Sequence, residues 1–250
     1  MSDGIPRLRM FAGPNGSGKT TVKNSLNEPQ SWFGLYINPD EIERAIQSTG
    51  FLAIAQFQLR ITVEDIRDYF SSSRFLQSVG FESDLHTIHL NESGLDFRGV
   101  NFNSYHASVL SDYLRRNAME MQRSFSFETV MSSGDKIDLL RDAKTRGYRI
   151  YLYFVATNDP DINVQRVKHR RDTGGHDVPP DKIVSRYYRS LKLLSDAIPL
   201  TDRAYFFDTS EESAWFFAEI TNGDTIELQS NKIPAWFQPI WDGLPAEGSP

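Results

Sequence analysis

The sequence predicts an α/β fold: a mostly parallel sheet with helices on both faces, an inserted α+β segment and a C-terminal β-hairpin. Three observations carry that prediction. Strand-like and helix-like stretches alternate along most of the chain, as crossover units demand. A glycine-rich turn, Gly13 to Gly18, sits between the first strand-like and the first helix-like stretch. The run Ile150 to Ala156 is apolar and mostly β-branched or aromatic, as a strand covered on both faces would be.

In order, Pro6 to Ala12 reads as a strand entering a core, and a helix is expected to start near Gly18. Leu35 to Ile37 is a second short strand, ended by Asn38-Pro39, and Asp40 to Gln47 has helical composition. Residues 51–103 break the rhythm and are read as an insertion within a single domain spanning 1–250. In it, Thr62 to Val79 reads as one helix capped by Thr62, and His86 to Phe102 is strand-like. The amphipathic stretch Ser104 to Met121 then leads back to a strand, Ser124 to Val130. A helix over Asp135 to Arg146 closes at Gly147, and the strand Arg149 to Ala156 follows. Helical spacing resumes over Asp161 to Arg171 and Pro180 to Ala197. Arg203 to Phe207 is a further strand, and Trp215 to Leu228 a hairpin turning at Asn222-Gly223. The last dozen residues, rich in Pro and Gly, read as a loose tail around a few anchoring aromatics.

Composition narrows the function classes. The 250 residues hold 33 Asp plus Glu against 27 Lys plus Arg, a net charge of −6, with 39% hydrophobic residues and no cysteine. That length buries a core without staples. Without cysteine there is no disulfide framework, no thiolate zinc site and no Cys nucleophile, which suits a reducing compartment. No apolar run is long enough to span a membrane and Met1 to Arg9 lacks a secretory h-region, so the expected setting is cytoplasmic. The acidic balance disfavours nucleic acid as a partner.

The chemistry starts at Gly13-Pro14-Asn15-Gly16-Ser17-Gly18-Lys19-Thr20, which fits G-x-x-x-x-G-K-[ST] in full. Gly13, Gly16 and Gly18 permit backbone angles that aim the N–H groups of the loop, through Asn15, Ser17, Thr20 and Thr21, at phosphate oxygens. Lys19 reaches the β- and γ-phosphates and the Thr20 hydroxyl faces Mg²⁺. Asp40, at the end of the second strand, is either a general base for an acceptor hydroxyl or a cap of the next helix. Glu128 and Thr129 end an apolar strand, where they contact an acceptor or serve structurally. A basic cluster follows: Arg166, Lys168, Arg170 and Arg171, then Gly174-Gly175-His176-Asp177, then Lys182, Arg186, Arg189 and Lys192. Arg166 and Arg170 share one helix face, as do Lys182 and Arg186. Two basic helices around Gly-Gly form a lid bringing guanidinium charge onto a phosphoryl group, with a solvated helix face or a nucleic-acid patch as the alternative. His176 either orients substrate or sits beside Asp177 as that residue caps the next helix. The remaining histidines show no metal-ligand spacing with carboxylates.

These blocks together resemble the zeta toxin family of P-loop kinases. The likeness runs from Arg9 to Gln47 and from Ser104 to about Ser210, through Gly13 to Thr21, Asn38-Pro39-Asp40-Glu41-Ile42, Ser126-Phe127-Glu128-Thr129, Gly147-Tyr148-Arg149, Arg166-Val167, Gly174 to Pro179, and Asp202-Arg203-Ala204 through Phe207-Asp208. The resemblance implies a P-loop kinase-like fold and an ATP- and Mg²⁺-dependent phosphotransferase, with GTP as the second nucleotide to consider. It implies Asp40 as the base, Glu128 as a substrate ligand and Arg166 as a phosphate ligand, with UDP-N-acetylglucosamine as the first acceptor to test and a small antitoxin as a partner. Residues 51–103 have no counterpart in that pattern, and His176 stands where some family members place a second arginine, a role open to Arg186 or Arg189. The rival reading is a nucleotide-dependent switch or nucleic-acid-associated ATPase using the insertion. That segment carries four arginines against seven acidic residues, a poor surface for a phosphate backbone.

Overall fold

The structure is a computed structural model and describes residues 4–80, 84–92, 94–173 and 178–243. In chain order the elements are β1 (Arg7–Ala12), α1 (Lys19–Ser25), α2 (Gln30–Phe33), β2 (Leu35–Ile37), α3 (Pro39–Thr49), β3 (Phe51–Leu52), α4 (Val63–Ser71) and α5 (Arg74–Val79). Then come β4 (His89–Asn91), β5 (Gly94–Asp96), α6 (Ser104–Glu120), β6 (Phe125–Thr129), α7 (Asp135–Thr145), β7 (Arg149–Ala156) and α8 (Pro160–Asp172). The chain ends through α9 (Pro180–Ala197), β8 (Arg203–Asp208), β9 (Trp215–Thr221), β10 (Thr225–Leu228) and α10 (Gln238–Gly243). The predicted α/β class holds. The chain divides into two compact units, one of Met1–Phe33 with Ser126–Pro250 and one of Gly34–Phe125.

In the first unit the strands lie in the order β10-β9-β8-β7-β1-β6. β1, β7 and β8 are parallel, in the register Met10, Leu152, Ala204, whereas β9 and β10 add antiparallel as the predicted hairpin. Strand alternation sends Phe11, Tyr153 and Tyr205 to one face, where their rings stack at 4.7 and 4.9 Å. Trp32 and Phe33 of α2 pack on that row. The Arg9 guanidinium lies 3.9 Å from the Trp32 ring centroid, and burial pushes its pKa below the ordinary arginine value. The opposite face, with Leu8, Met10, Leu152, Phe154 and Phe206, is wholly buried.

That second face holds the aromatics that anchor the C-terminal segment, and α10 replaces the first part of the expected loose tail, the rest of which, 244–250, lies outside the described residues. The Phe237 ring packs tilted 4.8 Å from Phe206, Trp236 lies 5.7 Å from Phe154, and α10 continues from them to Gly243. Trp236 Nε1 donates to Asp208 Oδ2 at 2.8 Å, so its one polar atom is satisfied as its ring is buried.

The second unit holds the three-stranded antiparallel sheet β3-β5-β4, with α3 and α4 packed on α6. It contains all of residues 51–103, together with β2, α3 and α6. The single helix expected over Thr62 to Val79 is two. Thr62 Oγ1 accepts from Asp65 N at 3.0 Å as predicted, but the chain breaks after Ser71 and restarts with Ser73 Oγ accepting from Leu76 N at 3.3 Å. Three consecutive serines, each better at capping than at propagating a helix, account for the break. The strand-like stretch His86 to Phe102 yields only β4 and β5 after a 3-10 turn at Leu85–Thr87. Gly94 there has φ +123° and a β-carbon on it would lie 2.2 Å from the Leu52 carbonyl oxygen, so close pairing with β3 demands glycine.

Candidate active site

The turn after β1 is shaped by steric exclusion. Gly13 has φ +143° and a β-carbon there would fall 2.0 Å from Val155 O; Gly16 has φ +75° and its β-carbon would fall 2.6 Å from Asn163 O. Gly18, at φ +83°, is the left-handed residue from which α1 starts. Gly13 N donates to Thr129 O at 3.2 Å and Ser17 N to Pro14 O at 3.3 Å. Lys19 Nζ folds over the loop and donates to the carbonyls of Gly13 and Pro14, both at 2.9 Å. The loop therefore presents an α1 N-terminus and an ammonium group together, the combination that attracts an anion.

Around it stand residues from three other segments of the first unit. Thr20 Oγ1 donates to Glu128 Oε2 at 2.7 Å, joining the start of α1 to the end of β6. Arg166 Nη2 donates to Thr209 O at 2.6 Å and to Glu211 O at 3.2 Å, and Nη1 to Thr209 Oγ1 at 3.3 Å. Thr129 Oγ1 accepts from Met131 N at 3.0 Å and so organises the turn after β6. Thr20 and Thr21 are exposed, Arg170 is exposed and Arg186 is half-buried. His176, with Gly174, Gly175 and Asp177, lies outside the described residues. Asp40 belongs to the second unit, where it sits exposed in the first turn of α3. The capping role falls to Asn38, whose Oδ1 accepts from Asp40 N at 2.9 Å.

Two residues that sequence reasoning missed hold the loop from behind. Asn163, fully buried in α8, donates Nδ2 to Asn15 O at 2.6 Å and accepts from the Thr157 hydroxyl. Thr209 Oγ1 donates to Ser17 O at 2.8 Å. The sequence does contain a weak signal for Asn163: it shares the buried face of α8 with Val167, four residues on, where an apolar residue is expected.

A magnesium ion fits these residues in part. The Ser17 hydroxyl and Asn15 Oδ1 are buried with no hydrogen-bond partner among the described residues, as groups awaiting a ligand would be. Thr20 and Glu128 supply hard oxygen donors of the kind magnesium takes alongside phosphates. Among the described residues no group of three His, Cys, Asp or Glu could hold a metal by itself. Beside the Thr209 turn lies a cavity of about 420 Å³, bordered by Asn158, Ser210, Trp215 and Pro234. Asp208, also on its wall, is already bonded to Trp236 and to Ser210 N at 2.9 Å. No helix among the described residues is long and apolar enough to cross a membrane.

The fold class is therefore α/β, with a glycine-rich loop between a parallel strand and a helix and Lys19 and Thr20 at its end. Residues 99–203 match the family model described as zeta toxin. An uncharacterised protein of Haemophilus influenzae is 30% identical over 70 residues, which are 28% of this chain and 50% of that protein. The fold is similar to a chain of the AvrRxo1-ORF1:AvrRxo1-ORF2 crystal structure with sulphate ions, with TM-score 0.51 and 17% identity, covering 91% of this chain and 62% of that one. The AvrRxo1-ORF1:ORF2 structure with ATP gives TM-score 0.51 and 17% identity over 99% of this chain and 68% of that one. The chain thus spans half the length of the curated relative it matches and under two thirds of the first of these structures.

Proposed function

We propose that the chain is an ATP- and Mg²⁺-dependent phosphotransferase acting on a hydroxyl of a small molecule, a zeta-toxin-like kinase. The observation that carries this is the loop itself: three glycines at positive φ, Lys19 over the loop, and the Thr20–Glu128 pair at 2.7 Å beside it. The similar fold in a structure holding ATP supports the nucleotide, and the family resemblance supports the transfer.

In this reading Lys19 and the amides from Asn15 to Thr21 bind the nucleotide phosphates, and Thr20 with Glu128 would hold magnesium, which when bound neutralises phosphate charge. Asp40 accepts the proton of the acceptor hydroxyl as its oxygen bonds the γ-phosphorus and the bond to ADP breaks. Glu128 and Thr129, with His176 and Arg186, belong to the acceptor side. Arg166 and Arg170 add positive charge from α8. UDP-N-acetylglucosamine is the acceptor to test first, GTP the alternative donor, and an antitoxin the protein partner.

The test uses purified protein with ATP, Mg²⁺ and UDP-N-acetylglucosamine, read by mass spectrometry. A phosphorylated sugar nucleotide is expected, with Asp40→Asn slowing transfer by about 100-fold or more while ATP affinity stays near wild type. Free ATP hydrolysis with no phosphorylated product would remove the acceptor, and an unchanged Asp40→Asn rate would remove the base.

A further inference from the structure

A loop that binds phosphate through backbone N–H groups must turn those groups to its concave side. In a trans peptide the C=O points opposite to the N–H of the next residue, so each inward N–H leaves a carbonyl facing the protein behind. Such a carbonyl, if buried, needs a donor. Here the carbonyls of Asn15 and Ser17 have donors that come from far along the chain: Asn163 Nδ2 at 2.6 Å and Thr209 Oγ1 at 2.8 Å. These two peptide planes carry the N–H groups of Gly16 and Gly18.

Both donors are themselves held. Asn163 is fully buried, its Oδ1 accepts from Thr157, and its backbone leaves no room for a β-carbon on Gly16. The Thr157 carbonyl in turn accepts from Tyr187 OH of α9 at 2.6 Å. Thr209 is buried, its N–H donates to Ala156 O at 2.9 Å, and its hydroxyl receives Arg166 Nη1 while donating to Ser17 O. Its methyl lies 3.7 Å from where a β-carbon on Gly18 would be.

We infer that Asn163 and Thr209 are positioning residues that preset the phosphate loop, and that Arg166 acts on the loop through Thr209. The inference rests on the phosphate-binding reading of that loop. It assigns to α8 and to the turn after β8 the task of holding the Gly16 and Gly18 amides in their anion-facing orientation before the nucleotide arrives. A preset loop binds more tightly because less of the binding energy goes into ordering it.

The test measures ATP affinity by calorimetry, apo thermal stability, and amide hydrogen exchange at Gly16 and Gly18, in wild type, Thr209→Val, Thr209→Ser and Asn163→Asp. Thr209→Val keeps the shape and removes the hydroxyl. It is expected to weaken ATP about tenfold and to speed exchange at Gly18, with the apo melting temperature lowered by several degrees but the chain still folded, and Thr209→Ser is expected to restore affinity and exchange. Asn163→Asp sets a carboxylate against the Asn15 carbonyl and is expected to weaken ATP at least as much, with faster exchange at Gly16. Wild-type affinity and exchange in folded Thr209→Val would overturn the inference, as would failure of Thr209→Ser to recover either. If wild type itself binds no ATP, the phosphotransferase reading fails; the exchange rates still decide whether these side chains hold the loop.

Discussion

Two glycines at positive φ separate strain from exclusion. Gly16 and Gly147 have φ +75° and +78°, yet a β-carbon on Gly147 meets nothing within 4 Å whereas one on Gly16 lands 2.6 Å from Asn163 O. Gly147→Ala is expected to cost about 1 kcal/mol of stability, from the left-handed backbone alone, with unchanged ATP affinity. Gly16→Ala is expected to weaken ATP by on the order of tenfold or more, because the loop has to move off α8. Calorimetry on both variants checks the contrast. A second residue-level case is Asp112 in the second unit, which accepts from Tyr69 OH, from Arg116 Nε at 2.9 Å and from Arg115 Nη2 at 3.4 Å. Burial alone would raise its pKa, but the charge of Arg115 and the hydrogen bonds of Tyr69 and Arg116 outweigh it, and the value falls from 3.8 to about 2. With the folded value below the unfolded one, the stabilisation is complete above about pH 4 and fades as pH drops towards 2. The gap in urea stability between wild type and Asp112→Asn should therefore narrow between pH 6 and pH 3; a constant or widening gap would refute the assignment.

Elements in this chain are delimited by caps that short-range chemistry specifies. Asn38 before Pro39 starts α3 and Gly50, at φ +78°, ends it; Asp159 before Pro160 starts α8. Thr62 starts α4 through its bond to Asp65 N, and Thr62→Ala is expected to cost about 1 kcal/mol in urea unfolding, with Thr62→Ser close to wild type. Thr62 was legible because it lies within three residues of what it controls, whereas Asp40, the cap the sequence offered for α3, gives way to Asn38 two residues earlier. The break between α4 and α5 was less so: apolar spacing continues across Ser71 to Ser73, and only the Ser73 to Leu76 bond shows that a new helix begins. The short β4 and β5 were read as a longer strand for a related reason, since β-type composition does not reveal where a partner strand ends.

For the molecule as a whole, the strand order decides the site. β1 lies between β7 and β6, and β1, β7 and β8 are parallel, so Gly13, Thr157 and Thr209 all leave the same edge of the sheet. The same order closes the core at its C-terminal end, where Trp236 and Phe237 cover Phe154, Phe206 and Phe217. Trp236→Ala removes part of that cover and one partner of Asp208. It is expected to cost about 3 kcal/mol and to lower the melting temperature of the chain by several degrees, whereas a solvent-exposed tail would leave it unchanged.

By itself the sequence determined the α/β class, most strand and helix positions, the glycine-rich loop with Lys19 and Thr20, and the choice of Asp40, Glu128 and Arg166 as candidate site residues. Periodicity, capping and the loop motif are local, and the chain carries them without reference to its fold. Only the tertiary structure decided what supports the loop: Glu128 meets Thr20 across 108 positions, Asn163 meets Asn15 across 148 and Thr209 meets Ser17 across 192. Those pairings follow from the order of strands in the sheet, and that order is set by which buried faces fit together rather than by any pattern within one segment.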